Sequence, residues 1–129
     1  MSYLDRLDDQ ILRLRILEPG WLDGEGAAIR EDAIAWAVEV REACANGSIK
    51  HPVYIYPTPF GGVQVEFDMI PFAVSAMYLG DGLIECDATC VRQPAVKDHS
   101  ATIRSTAELC LWFHSISEQA ARWRAERIK

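Results

Sequence analysis

Strict alternation of apolar and polar residues between positions 63 and 68 is the feature that most constrains this chain. The segment reads VQVEFD, so its apolar residues share one face and Gln64, Glu66 and Asp68 share the other. A period of two is typical of a strand that is half-buried against a core. Glu66 and Asp68 would then lie about 7 Å apart on the outer face of a sheet.

A turn and another strand precede this segment. Residues 53 to 56, VYIY, are β-branched or aromatic, which suits a pleated surface. The sequence PTPFGG follows at 57 to 62, where prolines cannot donate to a ladder and Gly61 and Gly62 reach positive φ at little cost. The pattern predicts a central β-hairpin.

Two further strands are predicted after this hairpin. Phe72 to Leu79 and Leu83 to Val91 both alternate, and the sequence GDG between them is a strong hairpin turn. The second of these strands places Glu85 and Asp87 on its polar face. We expect a polar loop from residue 92 to 100, and the segment Ala101 to Arg104 fits either a short strand or the approach to a helix.

Three segments have the spacing of apolar residues that predicts amphipathic helices. Ser2 is a suitable N-cap for the first helix, and Ser105 with Glu108 has the pattern of a capping box for the last. The fold class is therefore α+β: a single domain over residues 1 to 129, with a four-stranded, mainly antiparallel sheet and helices packed on one face, in the order α-α-β-β-β-β-α. The predicted helices span residues 3 to 17, 29 to 45 and 106 to 127.

The segment from Trp21 to Gly26, WLDGEG, predicts a tight loop anchored by its tryptophan. Asp23 and Glu25 suggest calcium, but an EF-hand loop counted from Asp23 would have Ala27 and Ile34 at its fifth and twelfth positions, which offer no side-chain oxygen. Phosphate binding is also disfavoured, because the loop is acidic and no lysine follows it.

The charge of the chain limits its partners. Its 129 residues carry a formal net charge of -6, which argues against direct nucleic-acid binding and is compatible with a basic protein partner. No apolar run approaches the length of a membrane span, and the acidic N-terminus does not resemble a signal peptide. We therefore expect a cytoplasmic protein that does not associate with membranes.

Catalytic and metal-binding patterns are weak. Cys86 and Cys90 would lie about 13 Å apart on one strand, too far to share a zinc ion. Cys110 and His114 are suitably spaced on a helix but lack further ligands, and Asp, His and Ser side by side at 98 to 100 are no sign of a catalytic triad. The chain contains neither a P-loop nor a nucleophile elbow. We predict buried thiols, no catalytic residue, no metal site and no cofactor.

Two motifs together resemble a loose group of small, uncharacterised bacterial and phage proteins. These proteins have W-D-G-x-G near the start, then P-T-x-x-G-G-[VI]-x-[LV]-E-W and a hairpin, and the resemblance covers roughly residues 10 to 90. This chain departs from the pattern by inserting Leu22 and by having Phe67 where tryptophan is usual. The resemblance implies either that the loop docks on the hairpin, with its amides donating to a glutamate, or that both line a ligand groove. The residues it connects are Trp21, Gly24, Gly26, Gly61, Gly62 and Glu66.

These observations leave two functional hypotheses. The first is a non-catalytic acidic protein-binding module, like a phage inhibitor or an antitoxin, that covers a basic site on a protein partner such as a nucleic-acid-handling protein. The second is a small enzyme or ligand-binding domain that uses the loop Trp21 to Gly26 and the face of Glu66 and Asp68. Homodimerisation through a sheet edge or the first helix stays open under both. The predicted partner-binding residues are Asp23, Glu25, Glu66, Asp68, Glu85 and Asp87.

Overall fold

The computed structural model describes residues 2 to 128 and has an α+β fold of three helices and one antiparallel sheet. The five strands are ordered β1-β2-β3-β4-β5, so that each pairs with its neighbours in sequence. The elements are α1 (Tyr3–Ile16), α2 (Glu31–Ala45), β1 (Tyr54–Pro57), β2 (Val63–Met69), β3 (Phe72–Gly80), β4 (Leu83–Cys90), β5 (His99–Ile103) and α3 (Thr106–Ile128).

One face of the sheet is buried against the helices. The predicted alternation is confirmed on β2, β3 and β4, where every second residue is buried, except for the half-buried Gly80 and Cys90 at strand ends, and the residues between are half-buried or exposed. Trp36 of α2 stacks on Tyr78 with ring centroids 5.7 Å apart, and Phe113 of α3 meets Phe67 edge to face at 4.9 Å. All three helices thus share a single apolar core with the sheet.

The prediction of four strands is wrong, because the sheet has a fifth. β5 includes His99 and Ser100, which we assigned to a loop, and its pairing with β4 runs from Ala88↔His99 to Ile84↔Ile103. The side chain of Asp98 accepts a hydrogen bond of 2.8 Å from the amide of Cys90, which holds the chain beside β4 just before the pairing starts. The strand conformation of β5 thus depends on its pairing with β4. Arg104 lies beyond the end of this strand.

Helix ends and turns follow local chemistry. Ser2 and Asp5 form a reciprocal capping box at α1, and Ser105 accepts the amide of Glu108 at α3. Asp81 and Gly82 connect β3 and β4 with φ of 53° and 78°, values that a tight two-residue hairpin requires. These local predictions are confirmed, with two exceptions. Within residues 2 to 128 only one of the two bonds of the α3 capping box forms, and α2 begins at Glu31 rather than at residue 29, because Arg30 is extended.

The outer edge of β1 is covered by side chains of α1. The hydroxyl of Tyr3 accepts a hydrogen bond of 2.7 Å from the amide of Val53, and Gln10 Oε1 accepts one of 3.0 Å from the amide of Ile55. Arg6 donates to the carbonyl of Val53 at 2.8 Å. An edge whose backbone groups are already bonded cannot accept a further strand, so α1 closes this side of the sheet.

No helix within residues 2 to 128 combines the length and the apolar character that a bilayer crossing requires.

We predict that Tyr3→Phe lowers the free energy of unfolding by about 1–2 kcal/mol, because it leaves the Val53 amide without its acceptor. The hydroxyl also donates to Cys44 Sγ at 3.4 Å. Tyr54→Phe is the control, since the structure shows no hydrogen bond to the Tyr54 hydroxyl within residues 2 to 128, and we expect a change of less than about 0.5 kcal/mol. Urea denaturation measures both, and equal losses would contradict this role of Tyr3.

The effect of Tyr3→Phe on stability should depend on pH. Burial raises the pKa of the Tyr3 hydroxyl from 10.0 to about 12, with the bond to Cys44 acting in the same direction. Because the folded state holds this proton more tightly than the unfolded state, the stabilising effect is complete below the unfolded pKa and is lost as pH rises through the folded one. The difference in unfolding free energy between wild type and Tyr3→Phe should therefore shrink from pH 10 to 12.

Candidate functional site

The face of the sheet opposite the helices carries four carboxylates. Glu66 and Asp68 lie on β2, and Glu85 and Asp87 lie on β4. The strand register places Glu66 opposite Ser75, and Ser75 opposite Asp87. Glu66 and Asp87 therefore lie in one row across the sheet. Two strand spacings separate the carboxylate-bearing strands, a distance of about 10 Å. The structure thus brings together four of the six predicted partner-binding residues.

The strands contribute no charge that compensates these four carboxylates. None of the five strands, all of which lie within residues 2 to 128, contains lysine or arginine. The ion pairs of the described chain lie elsewhere, as between Arg41 and Asp8 at 2.9 Å, and none involves a carboxylate of this face. We call these four residues, Glu66, Asp68, Glu85 and Asp87, the acidic face.

A shallow groove crosses the acidic face beside β1. Its volume is about 370 Å³, and its lining includes Glu66, Asp68 and Ser75. Tyr54 and Tyr56 form one wall, with stacked rings 6.3 Å apart, and their side chains are 43% and 42% exposed. An open groove with acidic and aromatic walls is suited to hold the cationic end and the aliphatic stem of a lysine or arginine.

Two contacts fix the groove's walls. The guanidinium of Arg6, a residue of α1, lies 4.1 Å from the centroid of the Tyr54 ring and restricts the position of that ring. Gln64 Nε2 donates to Glu66 Oε2 at 3.1 Å, which orients that carboxylate. Our reading of the sequence missed Tyr54 and Tyr56 as site residues. Their alternation with buried Ile55 is the signal that could have placed them on the outer face.

Asp23 and Glu25 are not part of the acidic face. Their loop is closed by its own hydrogen bonds, including Leu22 N to Glu25 O at 2.7 Å, and it is anchored by Trp21 Nε1, which donates to Ala27 O at 2.7 Å. The groove is lined by none of the residues from 21 to 26. The structure therefore separates the loop carboxylates from the other four.

The segment after the loop docks on the turn between β1 and β2. The amide of Ala27 donates to Pro59 O at 2.9 Å, and the amide of Arg30 donates to Gly61 O at 2.9 Å. Within residues 2 to 128 no loop amide donates to Glu66, contrary to expectation, and that carboxylate accepts from Gln64. The backbone carbonyls of the turn, rather than a side chain, thus accept the hydrogen bonds of the docked segment.

Close approach accounts for three of the four glycines of the two motifs. A Cβ on Gly26 would lie 2.8 Å from the indole of Trp21, and one on Gly61 would lie 2.8 Å from Ala28 O. Gly62 similarly faces Tyr78 O at 2.9 Å, whereas a Cβ on Gly24 would meet no atom within 4 Å and only its positive φ restricts that site. Gly61 therefore allows the segment after the loop to dock, whereas Gly26 leaves room for Trp21 within the loop and Gly62 lets the turn lie against β3.

Arg30 joins this arrangement, although nothing in the sequence pattern indicated it. Its guanidinium donates to Phe60 O at 3.1 Å and to Leu79 O at 3.3 Å, which connects the turn between β1 and β2 with the end of β3. An arginine can do this because its planar group presents several donors in a fixed geometry.

A second cavity, of about 60 Å³, lies between α3 and the segment that precedes β1. His51 Nε2 is 3.4 Å from Ser117 Oγ, and burial lowers the pKa of this histidine, with the charge of Arg124 as a further cause. Cys110 and His114 also line the cavity, and burial raises the pKa of the Cys110 thiol. A raised pKa makes the thiol a poorer nucleophile. Within residues 2 to 128, no three His, Cys, Asp or Glu residues are grouped to hold a metal ion.

No protein-family model, curated protein or solved structure matches this chain significantly. The likeness of its loop and hairpin motifs to bacterial and phage proteins therefore stays a hypothesis.

We predict that Gly61→Ala destabilises the protein more than Gly47→Ala does. Both glycines have φ of +83°, which would cost alanine about 1–2 kcal/mol, but a Cβ at position 47 would meet no atom within 4 Å. At position 61 the clash with Ala28 O should add about 1–3 kcal/mol. Chemical denaturation compares the two variants, and an equal loss would show that the docked segment moves aside freely.

Proposed function

We propose that this chain is a non-catalytic protein-binding module, of the inhibitor or antitoxin kind, whose acidic face covers a basic site on a protein partner. The observation that carries the proposal is the set of four carboxylates on a sheet face that no helix covers, none of which forms an ion pair with a basic residue of the described chain. A monomer gains little from such an arrangement, whereas a complex with a cationic surface gains charge pairs.

Charge and geometry support a partner that handles nucleic acid. β2 and β4 each carry two carboxylates spaced two residues apart, which gives two pairs of negative charge on neighbouring parts of one face. A nucleic-acid backbone offers the same kind of repeating charge to lysine and arginine side chains. The acidic face is therefore a suitable competitor for a phosphate-binding surface, and its field would accelerate encounter with such a surface.

The tyrosines of the groove add a second type of contact. Tyr54 and Tyr56 are stacked and nearly half exposed, so they offer apolar area without needing to reorganise. Tyrosine is enriched among the residues that dominate binding energy at protein interfaces. We expect the partner's cationic side chains to lie along the carboxylates and its apolar stems to pack on these rings.

The enzyme or ligand-binding hypothesis has less support. It requires the loop from Trp21 to Gly26 to form one site with Glu66 and Asp68, yet that loop lines no part of the groove. The loop's backbone groups are engaged within the loop and its docking segment with the turn between β1 and β2.

We predict that Glu66→Lys/Asp87→Lys abolishes binding of the partner. Placing two cations against a basic surface replaces attraction by repulsion, which costs several kcal/mol, or a loss of affinity of at least about 100-fold. The control is Asp9→Lys/Glu18→Lys, which makes the same charge change at exposed residues away from the sheet. Tagged proteins are recovered from a lysate of the native host, and partners are quantified by mass spectrometry at several salt concentrations.

The proposal requires a stoichiometric basic protein with the wild type and the control, and its loss with the face variant and with rising salt. Recovery of the same partner with both variants, or of no basic partner at physiological salt, would contradict it. A third variant, Asp23→Lys/Glu25→Lys, locates the surface: we expect it to bind like the wild type, because these residues lie outside the acidic face.

A further inference from the structure

The two edges of the sheet differ. The outer edge of β1 is bonded to Tyr3 and Gln10 of α1, whereas β5 is the last strand and pairs only with β4. No side chain or loop within residues 2 to 128 forms a hydrogen bond with the backbone of β5 on its other side. One edge of the sheet is thus closed and the other open.

The register shows which groups the open edge presents. Backbone bonds alternate in direction along a strand, and the amide of Ile55 points outward from β1 to Gln10. We followed this alternation through the four strand pairings. The backbone N–H and C=O groups of Ala101 face Cys86 of β4, and those of Ser100 and Thr102 face away from β4. Ser100 and Thr102 are also exposed, so two amides and two carbonyls face solvent at this edge.

The open edge lacks the devices that discourage strand pairing. β5 has the sequence HSATI, with no proline, no lysine and no bulge in its pairing with β4. Charged residues occur only beyond its two ends, where Asp98 precedes the strand and Arg104 follows it, and both are exposed. The charges at the ends have opposite sign.

We propose that β5 pairs with β5 of a second copy of this chain, in an antiparallel arrangement that extends the sheet to ten strands. With Ala101 at the two-fold axis, Ser100 lies opposite Thr102 of the second copy, and their outward amides and carbonyls bond reciprocally. The same register places Asp98 opposite Arg104 of the second copy at both ends. The hydrogen-bonding groups and the charges of β5 are thus complementary to those of β5 in the second copy, as an isologous interface requires.

This charge complementarity is the reason to choose a second copy over an unrelated peptide. Asp98 uses Oδ1 to accept the amide of Cys90, which leaves its second oxygen available. Arg104 lines a cavity together with Asp32 and Glu39 but makes no side-chain hydrogen bond or ion pair within residues 2 to 128. Residues directly opposite in an antiparallel pair point to the same side of the sheet. The two acidic faces would therefore lie on one side of the dimer and form a surface of twice the extent.

Sedimentation velocity over a range of protein concentrations tests the pairing. The wild type should approach twice the monomer mass of 14.5 kDa. Thr102→Pro removes one outward amide hydrogen that β4 does not use, which an edge strand tolerates, and should give a monomer. Thr102→Val keeps the amide and should remain a dimer. Arg104→Glu sets like charges against Asp98 and should raise the dissociation constant at least tenfold, whereas Arg92→Glu, in the exposed loop before β5, should not.

A wild type that is monomeric at every concentration would overturn the proposal, and so would a dimer that Thr102→Pro and Arg104→Glu leave intact. Circular dichroism shows whether Thr102→Pro folds. If it does not, hydrogen exchange on the wild type decides: exchange at Ser100 and Thr102 must slow as protein concentration rises, and unchanged exchange refutes the pairing. A monomer that instead binds an unrelated strand-forming peptide at this edge would also refute it.

Discussion

Burial of a single sheet face against three helices is the interaction on which the rest of this structure depends. Phe67 lies at its centre, with His51 parallel to its ring at 5.7 Å and Phe113 edge-on at 4.9 Å. Since all three helices are engaged on this side, the other side of an antiparallel sheet can remain in contact with water. The acidic face, the groove beside the tyrosines and the open edge at β5 all follow from this one-sided packing.

Within residues 2 to 128 the carboxylates of the acidic face form no ion pair that would hold the fold together. Glu66 and Asp68 lie about 7 Å apart along β2, and Glu85 and Asp87 have the same spacing on β4, so each pair is mutually repulsive. Carboxylates elsewhere are used structurally: Asp8 pairs with Arg41, and Asp32 accepts the hydroxyl of Tyr78 at 3.0 Å. Within residues 2 to 128 the acidic face forms no ion pair, and the bond that Glu66 accepts from Gln64 stays within β2, which is why we propose a role in binding rather than in folding.

Local sequence signals predicted much of this architecture. Alternation identified β2, β3 and β4 and the side of the sheet on which their carboxylates lie, because a two-residue period leaves no freedom about which face a side chain takes. β5 could not be predicted in the same way. Its five residues are mostly small or polar, and its strand conformation comes from pairing with β4, which is a tertiary effect.

The candidate site shows the same limit. Four of its carboxylates could be placed on one face from the sequence alone, but whether the loop of Asp23 and Glu25 joins them depends on how the chain folds back. The segment after that loop is held at the turn between β1 and β2 by backbone hydrogen bonds, which cannot be predicted from the pattern of side chains. The role of Arg30, which connects the turn to β3, could not be predicted for a related reason: its acceptors are backbone carbonyls, which every residue has.

The most direct test of the claim that these carboxylates serve a partner rather than the fold is the stability of the isolated protein without them. The quadruple variant Glu66→Gln/Asp68→Asn/Glu85→Gln/Asp87→Asn keeps each side chain's size and removes the repulsion. At low salt we expect its free energy of unfolding to exceed that of the wild type by about 0.5–2 kcal/mol, with the difference shrinking as salt screens the charges. A variant less stable than the wild type would contradict the account, because it would show that the carboxylates hold the fold.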